Sequence, residues 1–168
     1  MIQAHLIGET ISTNDNSANA LMKQRHFGKK IEDKIHFTPA EALFLVEERK
    51  LEILQKNKKL SKKEVQEKFK KLDKKFLIKY IVFKDLRKKG HIVKTGLKFG
   101  ADFRVYEKGK PNSHAKWVLF VEHESQKNSW HDFAAKNRVA HSTKKNLLIT
   151  LVDEEQDVTY YEVSWIKP

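Results

Sequence analysis

A tyrosine, a histidine and a lysine in the C-terminal half of the chain stand where side chains can react. Tyr106 ends a predicted strand within DFRVYEK, His114 follows the turn Gly109-Lys110-Pro111-Asn112-Ser113, and Lys145 stands at a helix-to-strand boundary in HSTKKNLL. Loops and strand ends on a rigid sheet are where functional groups are displayed. A histidine with an ordinary pKa of ~6.5 keeps its acid and base forms accessible near neutrality. A lysine supplies a fixed cation where negative charge develops. A free phenol titrates near ~10, so Tyr106 works as a base only beside a cation, with Lys145 and Lys108 as candidates, or else it positions a hydroxyl. Any basic chain holds such a trio. Residue types alone therefore leave the alternatives open: an aromatic edge-strand residue, a turn histidine and a solvated lysine.

The elements that must position these groups are legible in part. Thr38-Pro39-Ala40-Glu41 reads as a capping box that opens a first helix burying Leu43, Phe44 and Val46. Upstream, short apolar pieces alternate with Asn, Ser and Gly and predict a small N-terminal sheet of short strands. Ser61-Lys62-Lys63-Glu64 repeats the capping pattern and predicts one long helix with an apolar stripe at Val65, Phe69, Leu72, Phe76, Tyr80 and Phe83, stopped at Gly90. Beyond it the segments HIVKT, DFRVYEK, AKWVLFVEH, LLITLVD and VTYYEVSW read as strands, interrupted by one helix over about Ser129 to His141. WVLFV and LLITLV are apolar on both faces and predict central strands, whereas VTYYEVSW alternates and predicts an edge. The expected class is α/β (α+β). Two small domains are expected: a variable N-terminal α/β domain over 1–79 that ends in a Lys-rich connecting helix, and a C-terminal mixed-sheet domain with flanking helices over 80–168.

The 168 residues carry 34 Lys and Arg against 22 Asp and Glu, a formal +12. Residues 1–55 hold 7 basic and 8 acidic side chains, 56–98 hold 17 and 4, and 99–168 hold 10 and 10. A concentrated basic block suits a phosphate-binding surface, because each cation near a phosphate releases a condensed counterion. A solvated lysine-rich helix is the plainer account, since only 5 of the 34 are Arg. No run approaches the ~20 apolar residues of a membrane span, and no leader pattern opens the chain, so a soluble, cytoplasmic protein is expected. With no cysteine, thiolate nucleophiles, disulfides and Cys-ligated metal sites are excluded.

The order and wording of KYIVFKDLRKKGHIVKTGLKFGADFRVYEKG, a His before an apolar strand, RVAHSTKKNLLITLVD, an acidic turn and DVTYYEVSWIKP closely resemble the archaeal tRNA splicing endonuclease family over about residues 79–168. The resemblance implies a tRNA-intron lyase that cuts precursor tRNA at bulge-helix-bulge junctions. The cut leaves a 2′,3′-cyclic phosphate and a 5′-hydroxyl, with no metal and no cofactor. It implies Tyr106 as base, His114 as acid and Lys145 as charge stabiliser, with Lys144 the neighbouring alternative to Lys145. Arg138 matches an arginine that stacks on a flipped bulge base, which suits a planar guanidinium. Tyr160 and Trp165 are candidates for further stacking. Asp153, Glu154, Glu155 and Asp157 match an acidic loop used in subunit assembly, and the terminal strand matches an edge used for two-fold pairing. The implied partners are precursor tRNA and either further copies of this chain, as dimer or tetramer, or a second endonuclease subunit in a heterotetramer, with no membrane partner.

Two other classes compete. A metal-dependent nuclease would use an Asp/Glu-x-Lys element, which Glu48-Arg49-Lys50 and Asp73-Lys74-Lys75 match, although both fall on predicted helices rather than strands. His123, His131 and His141 have no metal-ligand spacing. The other rival is a non-catalytic RNA-binding or structural subunit of a heteromeric enzyme, which would lack one of the three reactive residues.

Overall fold

The computed structural model describes all 168 residues, which form two compact units, Met1–Leu77 and Ile78–Pro168. The chain is a mixed α/β protein with five helices and two mixed sheets, as the strand and helix signals predict.

In the first unit, β1 (Ile2–Ile7), β2 (Thr10–Thr13), β3 (Lys29–Ile31), β4 (Lys34–Phe37), β5 (Leu51–Gln55) and β6 (Lys58–Lys59) form one sheet in the order β3-β4-β2-β1-β5-β6. β1 and β5 are parallel, and the other pairs are antiparallel. β1 alternates strictly, burying Ile2, Ala4 and Leu6. A helix α1 (Ser17–Arg25) that the Asn- and Ser-rich sequence does not announce lies between β2 and β3. It buries only Ala18, so it lacks the apolar stripe by which helices are recognised. The capping box at Thr38 is real and opens α2 (Pro39–Glu47). The Glu41 backbone N–H donates to Thr38 Oγ1 at 3.3 Å, and the Thr38 N–H donates to Glu41 Oε2 at 3.0 Å. Leu43 and Phe44 are buried as expected, but Leu45 is buried with them, beside Ala40 and Ala42, and Val46 is half-buried.

The single long helix expected from Ser61 is two helices, α3 (Lys62–Leu72) and α4 (Phe76–Lys88). Asp73 is the reason. Its backbone is extended (φ −142°, ψ 114°), its Oδ1 accepts from the Lys75 N–H at 2.9 Å, and its carbonyl accepts from the Phe76 N–H at 2.9 Å. A short carboxylate that satisfies nearby backbone donors offers the chain an alternative to continued helix. The apolar stripe survives the break because Phe69 and Phe76 meet edge to face at 5.3 Å. Leu72, at the break, is 46% exposed.

In the second unit, β7 (Val93–Thr95), β8 (Phe103–Val105), β9 (Trp117–His123), β10 (Asn146–Val152) and β11 (Val158–Val163) form a sheet in the order β11-β10-β9-β8-β7. β9 and β10 are parallel and interior, joined by α5 (Trp130–Ser142), and β11 is an edge. Ala140 of α5 packs with Ala101, Val118 and Leu147 on one face of the sheet. On the other face, Phe83 of α4 meets Phe103 at 5.9 Å, and Tyr160 donates its hydroxyl to Asp85 Oδ2 at 2.6 Å. Gly90 stops α4 in the left-handed region (φ +90°), with the His91 N–H donating to the Leu86 carbonyl at 3.0 Å.

Candidate active site

Sheet register brings the candidate residues to one end of the second unit. Val105, Trp117 and Asn146 are paired across β8, β9 and β10. Beyond this row the antiparallel ladder does not continue in register: the Lys116 N–H donates to the Val105 carbonyl at 3.0 Å, so Lys116 and Trp117 both stand against Val105, a bulge. On the parallel side the Asn146 N–H donates to the Lys116 carbonyl at 2.9 Å, which brings Lys145, just before β10, to the same end of the sheet. Alternation along β8 puts Arg104 and Tyr106 on one face.

Each backbone is held by an identifiable contact. The Tyr106 N–H donates to the Ile92 carbonyl at 2.9 Å, and the Tyr106 carbonyl lies 2.9 Å from His91 Nδ1. Lys145 sits just beyond α5, whose start is capped by Ser129: the Asp132 N–H donates to Ser129 Oγ at 3.1 Å. At the other end the Lys144 N–H donates to the His141 carbonyl at 3.1 Å and the Lys145 N–H to the Ala140 carbonyl at 2.9 Å, a Schellman closure. Lys144 takes the left-handed position (φ 55°) and is exposed, whereas Lys145 is half-buried. The closure thus gives the two adjacent lysines different surroundings.

Lys145 Nζ donates to the Thr143 carbonyl at 3.2 Å and stands 5.2 Å from the centre of the Phe99 ring. Lys98 Nζ lies 5.3 Å from the same ring. The Arg104 guanidinium carbon lies 5.9 Å from the centre of the Tyr106 ring. Burial lowers the pKa of the Lys145 amine below the ordinary lysine value, and the charges of Arg104 and Lys98 lower it further. The cation facing Tyr106 is therefore Arg104, which spacing arguments did not single out. Lys108 extends over Gly90 instead, with its Cε 3.9 Å from where a Gly90 side chain would begin.

His114 is exposed on the turn between β8 and β9, two residues before Lys116 and at the same end of the sheet. The turn is closed by Ser113, whose Oγ donates to the Lys110 carbonyl at 2.7 Å. None of Tyr106, His114 and Lys145 hydrogen-bonds another, and the Lys145 amine is held by the Thr143 carbonyl.

The remaining candidates are dispersed. Arg138 is exposed on α5 and lines a groove of about 510 Å³ with Phe133, His141, Val163, Trp165 and Ile166. Trp165 packs on His141 at 4.2 Å and is 63% exposed. Tyr160 is occupied: it donates to Asp85, its phenol pKa is raised by burial and then by that carboxylate, and Lys89 lies 5.0 Å from its ring. In the β10–β11 turn, Asp153 Oδ1 accepts from the N–H groups of Glu155 at 2.9 Å and Asp157 at 2.8 Å. Glu154, Glu155 and Asp157 are exposed, while Asp153 builds the loop that presents them. Glu48 is paired with Arg25 at 2.7 Å in the turn after α2, and Asp73 lies in the α3–α4 break, so neither Asp/Glu-x-Lys element lies on a strand. No three His, Asp or Glu side chains converge in metal-ligating geometry.

The second unit is a mixed sheet with cations and a tyrosine at one end, beside an N-terminal unit with its own sheet, and comparison with known proteins is specific. A family model described as the tRNA intron endonuclease N-terminal domain matches residues 2–66, and the one for its catalytic C-terminal domain matches 76–160. The tRNA-splicing endonuclease of Thermococcus kodakarensis is 43% identical over 168 residues, covering 99% of both chains. That of Thermococcus gammatolerans is 42% identical with the same coverage. That of Nanoarchaeum equitans is 45% identical over 136 residues, 76% of this chain and 87% of the relative. The chain belongs to the tRNA intron endonuclease family, a family of endoribonucleases. No helix is long and apolar enough to cross a membrane.

Proposed function

We propose that this chain is a tRNA-splicing endonuclease that cuts precursor tRNA at bulge-helix-bulge junctions in the cytoplasm, with residues 80–168 as the catalytic domain and 1–79 as the N-terminal domain. A ribose 2′-oxygen attacks the adjacent phosphorus, the bond from phosphorus to the 5′-oxygen breaks, and a 2′,3′-cyclic phosphate and a 5′-hydroxyl result. Tyr106 takes the proton from the 2′-hydroxyl, and His114 gives a proton to the departing 5′-oxygen. Lys145 holds the charge that accumulates on the phosphoryl oxygens. The three side chains supply both proton transfers and a cation for the phosphoryl oxygens, so the reaction runs without a metal or cofactor.

The observation that carries the reading is the placement of Tyr106, beside Arg104, and of Lys145, directly before β10, at the end of the sheet where the His114 turn arrives. Arg138 stacks on a bulged base from its exposed position on α5. Glu154, Glu155 and Asp157 dock on another subunit and β11 pairs across a two-fold axis, so that two sites are held at the separation of the two bulges. Single-turnover cleavage of a bulge-helix-bulge RNA tests the reading. Cleavage in EDTA is expected, and its loss on replacing His114 with Ala, with RNA binding retained. A His114→Ala enzyme that cuts normally, or cleavage that needs added magnesium, overturns it. If the purified chain is inert until a second polypeptide is added, the acting particle is heteromeric.

A further inference from the structure

Three cations meet at the candidate site with no carboxylate among them. Arg104 faces the Tyr106 ring, while Lys98 and Lys145 stand at the same Phe99 ring. None of the three is in an ion pair, and the carboxylates nearest in sequence are engaged elsewhere. Asp102 pairs with Lys79 at 3.2 Å and accepts from the Val121 N–H at 2.8 Å. Glu107 pairs with Lys110 at 2.7 Å and with Lys116 at 3.9 Å. Arg104 Nε is buried and has no hydrogen-bond partner. Like charges brought together without counterions raise the free energy of the folded chain, and an anion entering the site reverses that sign. Such an arrangement is retained where an anion is the ligand.

The placement is built into the fold. Lys98 and Phe99 lie in the 3₁₀ turn Leu97–Phe99, which Gly96 anchors: a side chain there would meet the Ala101 carbonyl oxygen at 2.8 Å, so only glycine lets the turn close against Ala101. The Ala101 N–H donates back to the Gly96 carbonyl at 3.0 Å. Arg104 follows on β8 and is directed to the site face by alternation with Tyr106.

We propose that Arg104 and Lys98 are RNA-backbone ligands that complete, with Lys145, one anion site seating the phosphate being cut and a neighbouring phosphate of the same strand. Arg104 stands beside Tyr106 and contacts the reacting phosphate; Lys98, exposed at the rim, holds the neighbour. A forked guanidinium binds two phosphoryl oxygens at once, which a lysine does not. The inference rests on the assignment of Tyr106 and Lys145 to the chemistry and adds to it two residues outside the acid, base and stabiliser set.

The test measures single-turnover cleavage of a bulge-helix-bulge RNA, together with the affinity for the same RNA carrying a 2′-deoxynucleotide at the cut, across a range of salt. Arg104→Gln is expected to slow saturated cleavage by about 10²-fold, the loss typical of one oxyanion donor. Lys98→Gln is expected to weaken binding of the uncleavable RNA and to reduce the slope of log affinity against log salt by about 0.7, the loss of one single-strand phosphate contact. Arg104→Lys keeps the stem and charge without the fork and carries the same test if the glutamine variant is unfolded by its near-UV spectrum. It is expected to slow cleavage about 10-fold. Wild-type cleavage and affinity in the Arg104 and Lys98 variants, beside an inactive Lys145→Gln control, overturn this inference alone. A Lys145→Gln enzyme that cuts normally overturns the underlying assignment.

Discussion

Replacing Lys145 with Gln keeps most of the side chain's length and removes its charge. The amine is half-buried against Phe99 and does not share its charge with any carboxylate. A unit charge about 4 Å from a developing negative charge, in surroundings of effective dielectric ~20, is worth about 4 kcal/mol. That corresponds to roughly a 10³-fold slower chemical step. Binding is expected to change far less, because it is spread over many phosphate contacts. The assay is single-turnover cleavage at saturating enzyme, beside affinity for the uncleavable RNA. The same calculation fixes a pH dependence. Because burial, Arg104 and Lys98 lower the pKa of the amine below 10.5, the ammonium is lost, and cleavage with it, at a lower alkaline pH than an ordinary lysine would give. Removing the repelling charge of Arg104 raises the amine's pKa and moves that alkaline limb upward. A Lys145→Gln enzyme within 10-fold of wild type, or an alkaline limb that moves downward in Arg104→Gln, refutes the reasoning.

Other outcomes follow from single contacts. Tyr160→Phe removes a hydrogen bond to a carboxylate that ties β11 to α4 and is expected to lower stability by roughly 1.5–3 kcal/mol, read by urea unfolding. Lys144→Gly relieves a lysine held at φ 55° and is expected to add about 1 kcal/mol, seen as a higher thermal midpoint. Reversing Glu154, Glu155 and Asp157 together to Lys is expected to reduce the native particle mass without unfolding the chain, because Asp153, which holds the turn, is left in place. An unchanged mass would remove the acidic loop from assembly.

Much of the architecture is legible locally. Both capping boxes, the Ser129 cap and the Gly90 stop lie where residue types place them, because a cap is made by side chains within four positions of the backbone they satisfy. The double-sided apolar runs WVLFV and LLITLV become β9 and β10, two of the three interior strands of their sheet. Three readings fail for stated reasons. α1 has no apolar stripe to reveal it. Asp73 breaks what periodicity reads as one helix, since periodicity registers which face is apolar and not whether the backbone ladder is continuous. In α2, Leu45 is buried where Val46 was expected, because nearly the whole helix is enclosed rather than one stripe.

The sequence by itself determines the reactive types, the caps and turns that bracket them and the family wording that links them, since all of these are properties of neighbouring residues. Only the tertiary structure decides that Tyr106 and Lys145 come to the same end of one sheet, that Arg104 rather than Lys108 is the cation beside the phenol, and that Tyr160 is spent on Asp85. Register between strands distant in sequence depends on which apolar faces pack against α4 and α5, and a shift of one residue would send each of these groups to the opposite side of the sheet.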